Sequence, residues 1–224
     1  VGYTIPTALI AFFRIQSPLA LPLLVLYGLL LQAVGIWRSF MGEGLGLAEA
    51  LAARGHGSVL WEGVYGAPSA EALTGTHWLV VLLGVLLVVL QAAMINRLMR
   101  NIKGLDVDGY LPALAYTFLA TVLGAGFDPA TLGALFLLLA FDRLLEAYGP
   151  VRADEPLLQA AVYTGVASLL CWPYAIFLLF AGLAAARLRP LSGREFGILV
   201  AGFGAVYALA WTWSFVAGNP TQWA

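Results

Sequence analysis

The sequence predicts an all-α fold: a polytopic membrane bundle of about seven transmembrane helices that contains a tandem repeat of short helical hairpins. Three observations predict it. Of the 224 residues, 62% are hydrophobic and only 10% charged, against roughly 45–50% and ~25% in soluble domains. Stretches such as 17–37 and 77–96 supply the ~20 apolar residues that a helix needs to cross a ~30 Å hydrocarbon core, and no strand-like alternation competes with them. Finally, "AYTFLATVLGAGFDP" (115–129) is echoed by "VYTGVASLLCWP" (162–173).

The elements follow in order. The opening VGYTIPTALIAFF has a proline inside its apolar run and no basic residue before Arg14, so it does not read as a cleaved leader. A helix is expected at 17–37, a long outer loop at 38–76 and a helix at 77–99. A connector at 100–109 leads to a short pair at 110–126 and 129–147, a second short pair at 156–171 and 173–188, and a last helix at 195–217. Residues 1–224 then form a single integral membrane domain, with hairpin repeats at 110–147 and 156–188.

Within the repeat, Tyr116-Thr117 and Tyr163-Thr164 open matching helices, Pro129 and Pro173 open the return helices, and LFLLLAF (135–141) corresponds to IFLLFAG (176–182). A helix over 156–171 spans only ~24 Å at ~1.5 Å per residue, short of the hydrocarbon core; such helices suit burial among other helices, local bilayer thinning, or a cavity between paired segments. Asp128-Pro129 and Glu155-Pro156 put an acid beside a proline in the first helical turn, where a missing N–H costs nothing. Thr117, Thr121 and Ala125 recur at intervals of four, as do Ala160, Thr164 and Ser168, giving each copy a flat face for close helix approach.

Basic residues are retained on the cytoplasmic side of a membrane. With Arg14 inside, nine of the eleven Lys and Arg residues fall inside, leaving Arg38 and Arg54 outside. The seven tryptophans then lie at or beyond the outer boundary, where indole rings favour the interface. Both signals predict a cytoplasmic N-terminus and a periplasmic C-terminus.

Charged and polar groups inside spans are the first place to look for chemistry. Asp142, Arg143 and Glu146 stand near the end of the fourth helix and Asn96 and Arg97 near the end of the second; helical spacing puts Arg143 and Asp142 each beside Glu146. The plain reading is an interfacial cluster, and the functional one a gate for something entering from inside. No Asp, Glu, Lys, Arg or His falls at the midplane of any expected span, which weighs against ion-coupled transport. The outer loop carries Glu43, Glu49, Glu62, Glu71 and His56, with His77 at its edge, but their spacing matches no metal or acid–base motif. Trp37, Trp61 and Glu62 are its candidate interaction residues. The single Cys171 precludes an intramolecular disulfide and reads as a small buried residue. No nucleotide-binding glycine pattern occurs, the formal net charge of −1 predicts no nucleic-acid binding, and no cofactor is implied.

FFRIQSP (12–18), MINRLMRN (94–101), YLPALAY (110–116) and RPLSGREFGILVAGFGAVYALAW (189–211) resemble a family of polytopic inner-membrane proteins of Bacteroidota and their relatives that carries only a domain-of-unknown-function label. The resemblance runs over nearly the whole chain except the outer loop. It implies an inner membrane of a two-membrane bacterium and supplies no catalytic residue. The short hairpins behind a large outer loop are also similar to polytopic glycosyltransferases that use polyprenyl-phosphate sugars, which place an acid, usually aspartate, in that loop; here the loop has glutamates only. The function expected is a non-catalytic subunit or scaffold of a cell-envelope complex, with the lipid bilayer and other proteins as partners. The alternatives are a transporter or flippase for an apolar or lipid-linked precursor, and an enzyme using the loop glutamates.

Overall fold

The computed structural model describes residues 22, 25–30, 77–101, 109–122, 127–147, 154–188 and 193–216, and these are helical apart from turns. Six helices are named here: α1 (His77–Asn101), α2 (Leu111–Val122), α3 (Pro129–Glu146), α4 (Asp154–Leu170), α5 (Ile176–Leu188) and α6 (Gly193–Val216). Residues 25–30 form a further helical stretch. Among the described residues, two segments are long and apolar enough to cross a membrane, Leu82–Arg100 and Gly193–Val216, and two shorter apolar ones are Leu111–Val122 and Trp172–Leu183. The chain divides into two compact units, the described residues up to Thr131 and those from Leu132 onward.

In the first unit, α1 and α2 run antiparallel: Gln91 meets Tyr116 while Arg100, further along α1, meets Tyr110 at the start of α2. Their seam is Val85, Val89, Ala92 and Ala113, with Val25, Leu29, Tyr110, Leu114 and Tyr116 packed on it. Gly28 brings residues 25–30 close; a Cβ there would lie 3.5 Å from Val85 and 3.6 Å from Thr117. Asp128 caps α3 as its sequence suggests, its carboxylate accepting the Thr131 N–H, with Pro129 in the first turn.

In the second unit, contacts fix the direction of each helix. Asp154 pairs with Arg194, Leu158 and Ala161 meet Gly202, Gly165 meets Val206, and Ser168 meets Tyr207. Both numbers rise together, so α4 and α6 are parallel. Gly133 of α3 lies against Ala167 and Tyr174, while Leu144 and Ala147 at its other end pack with Leu157 and Ala161. Helix α3 is therefore antiparallel to α4, and with α5 returning between α4 and α6 the four helices alternate in direction. The core is Leu144, Ala147, Leu157, Ala161, Ala181 and Leu199.

The contact of α4 with α6 is built on one glycine in each helix. A Cβ on Gly165 would sit 3.0 Å from Val206 Cβ, and one on Gly202 would sit 3.0 Å from Ala161 Cβ and 3.2 Å from the Leu158 carbonyl oxygen. Such close approach is how small residues hold helices together where lipid is the alternative neighbour. The expected flat faces are inward: Thr117, Ala160, Thr164 and Ser168 are buried and Thr121 half-buried. Ala125 lies outside the described residues.

Two expectations are corrected. Tyr116-Thr117 and Tyr163-Thr164 do not open their helices but lie within them, since α2 starts at Leu111 and α4 at Asp154. Pro173 does not open the return helix directly. Cys171 is extended (φ −148°, ψ 106°), residues Trp172–Ala175 form a 3-10 turn with the Tyr174 N–H donating to the Cys171 carbonyl at 3.0 Å, and α5 begins only at Ile176. A proline near the first position suits the tighter turn as well as an α-helical start, so the residue alone does not distinguish them.

Candidate functional site

Helix α1 is apolar over most of its length, and two uncharged polar side chains on it are completely enclosed, Gln91 and Asn96, each 0% exposed. Gln91 is satisfied. Its Nε2 donates to the Thr131 carbonyl in the first turn of α3, and its Oε1 accepts from the Tyr116 hydroxyl at 2.7 Å. One amide thus joins α1, α2 and the capped start of α3. Because an amide presents both donor and acceptor, a single glutamine bridges a hydroxyl and a carbonyl.

Asn96 differs. Neither its Nδ2 nor its Oδ1 has a hydrogen-bond partner among the described residues. Arg97 beside it is exposed, and Arg100, one turn on, holds its guanidinium carbon 6.0 Å from the centre of the Tyr110 ring, within reach of a cation–π attraction.

The second group of candidates lies in the other unit, at the end of α3. Arg143 Nη1 donates to Glu146 Oε2 at 2.6 Å, with both side chains partly open to solvent. This is the expected i,i+3 pair. Asp142 turns the other way, being 5% exposed, so the surface cluster is the Arg143–Glu146 pair, with Asp142 directed inward. The reason is helical: a residue adjacent in sequence is rotated by about 100°, and the apolar side of α3 begins there. The Nε of Arg143 is enclosed and has no partner among the described residues. A second ion pair, Arg194 to Asp154 at 2.6 Å, ties the starts of α4 and α6. Trp37, Trp61, Glu62 and the rest of the loop at 38–76 lie outside the described residues.

Among the described residues, no three of His, Cys, Asp and Glu come together as a metal site would need. Cys171, part-buried, stands between α4 and the 3-10 turn.

The Gln91–Tyr116–Thr131 link is the polar feature that a search for charged residues passes over. Its signal is nevertheless in the sequence: a glutamine inside VVLLGVLLVVLQAAMIN. An uncharged amide in an apolar helix also needs a partner. The chain matches no protein-family model, no curated protein and no solved structure.

Proposed function

We propose that the chain is a non-catalytic subunit or scaffold of a larger cell-envelope complex, crossing a bacterial inner membrane about seven times and carrying two copies of a helical hairpin. Its N-terminus is cytoplasmic and its C-terminus periplasmic. In the second unit, support for a bilayer comes from the polarity of the alternating helices. The ion pairs Arg143–Glu146 and Asp154–Arg194 stand at one end, and the exposed Trp172, Trp211 and Trp213 stand at the other. Between them Leu179, Phe180, Leu183, Val200 and Leu209 are exposed, the arrangement expected of a lipid-facing wall between a charged and an aromatic boundary. The 17 residues of α4 span ~25 Å, which suits a locally thinned or helix-lined hydrocarbon layer. The likeness of residues 12–18, 94–101, 110–116 and 189–211 to polytopic inner-membrane proteins supports the same location.

The observation that carries the subunit reading is the outer side of α6. Gly197, Ala201, Ala205 and Ala208, spaced by four, four and three, are exposed, and a Cβ built on Gly197 or Gly204 meets nothing within 4 Å. Against lipid a flat strip gains little; against a second helix it allows close backbone approach. Extraction in a mild detergent followed by mass spectrometry should recover fixed protein partners. Ala205→Leu should release them while leaving the stability of the isolated chain within ~0.5 kcal/mol, as for an exposed site. Recovery of the chain alone at full yield would overturn the reading. One alternative is a transporter or flippase for an apolar or lipid-linked precursor. The enzyme alternative rests on the loop glutamates.

A further inference from the structure

The enclosed amide of Asn96 has a definite setting. Positions four apart share a helix face, so Asn96 stands between Ala92, one turn earlier, and Arg100, one turn later. Tyr110 packs on the seam that includes Ala92 and Ala113 and lies under Arg100. Asn96 therefore faces the first turn of α2.

That turn is rich in donors. The first helical bond runs from the Leu114 N–H to the Tyr110 carbonyl at 3.0 Å, so the N–H groups of Leu111 and Ala113 have no acceptor within the helix, while Pro112 has none to offer. Gly109, with φ 89°, turns the chain into this start in a conformation that favours glycine. A helix N-terminus of this kind attracts anions, and native structures rarely leave a buried amide such as Asn96 without a partner. The exposed guanidinium of Arg100 adds a positive charge on the same face.

We propose that this end of the α1–α2 pair binds a phosphate group, with Arg100 as the outer contact and Asn96 as the inner one. The proposal rests on the membrane reading above and gives it a ligand class: an anionic phospholipid headgroup or free phosphate, which share this chemistry. Because Asn96 is closed to solvent, its contact is with a single phosphate oxygen.

The test uses the full chain, delipidated in detergent and titrated with phosphatidylglycerol, with dioleoylglycerol, which lacks the phosphate, and with inorganic phosphate, read by native mass spectrometry and thermal midpoint. Phosphatidylglycerol should bind and dioleoylglycerol should not. Asn96→Leu and Arg100→Gln should each weaken that binding about tenfold or more, as loss of a hydrogen bond to a charged group does. Lipid-free Asn96→Leu should be at least as stable as the native chain, since an unpaired amide is replaced by an apolar side chain of similar volume. Displacement of the lipid by inorganic phosphate would assign the site to free phosphate, and its failure to the headgroup; either supports the site. Equal binding of the two lipids, unchanged binding in both variants, or a destabilised lipid-free Asn96→Leu would overturn it. A chain that does not sediment with membranes would defeat the membrane reading and this proposal together.

Discussion

Helices α2 and α4 carry the same dipeptide within their length, Tyr116-Thr117 and Tyr163-Thr164, yet they are held to their neighbours by different forces. Each threonine is fully buried and donates to the carbonyl four residues back, Thr117 to Ala113 at 2.9 Å and Thr164 to Ala160 at 2.8 Å. Beyond that the two diverge. Helix α2 runs antiparallel to α1 and is fastened by a buried amide; α4 runs parallel to α6 and is fastened by interlocking glycines, with Ser168 and Tyr207 3.0 Å apart at one end. A helix that hides its hydroxyl in its own backbone presents a small, inert face, and the neighbouring helix determines the form of attachment.

The comparison breaks most visibly at Gly202. In Gly202→Val the new Cβ starts 3.0 Å from Ala161 Cβ and 3.2 Å from the Leu158 carbonyl oxygen, and a carbonyl cannot rotate away. Overfilling of this kind costs about 1–3 kcal/mol, and the upper end is expected here because the contact is backbone to backbone. Gly204→Val, two residues on, meets nothing within 4 Å and should change the thermal stability of the isolated chain by no more than ~0.5 kcal/mol. Equal melting of the two variants would mean that α6 is not held through Gly202.

In the other unit the corresponding blow falls on Gln91. Gln91→Leu strands the Tyr116 hydroxyl and removes a second bond from the Thr131 carbonyl, which keeps its place in the helical ladder of α3, a loss of about 1–2 kcal/mol on the scale of hydrogen bonds between membrane helices. Tyr116→Phe should recover part of that loss when combined with Gln91→Leu, since it removes the stranded hydroxyl. Additivity of the two in a denaturation experiment would show that they act separately.

These pairs also explain what the sequence could and could not disclose. The start of α3 was legible because Asp128, Pro129 and Thr131 act within one turn. The burial of Thr117, Thr164 and Ser168 was legible from their four-residue spacing. The bridge from Gln91 to Tyr116 joins residues 25 apart and the one to Thr131 residues 40 apart, and no local period announces it. The match of Gly165 and Gly202 depends likewise on α4 and α6 lying side by side in one direction, which composition does not specify. At the end of α3 the spacing found the Arg143–Glu146 pair but placed Asp142 with it, because sequence distance alone does not say which side of the helix the core takes. Pro173 shows the same limit in a turn: one residue type serves two starts.

The smallest effects test whether the two threonines are equivalent. Thr117→Val and Thr164→Val keep the shape of the side chain and remove only a hydroxyl whose acceptor is a carbonyl of its own helix. That carbonyl retains its ordinary helical bond, and the valine methyl fills the space, so no buried donor is stranded; the asymmetry that makes hydrogen-bond deletion costly is absent. Each change should therefore move the unfolding free energy by less than ~1 kcal/mol, and the two by the same amount within ~0.5 kcal/mol, the precision to which independent sites are normally compared. A large loss at Thr117 with none at Thr164 would mean that the hydroxyl of Thr117 serves the α1 contact as well as its own helix, and the shared dipeptide would then mark two different jobs.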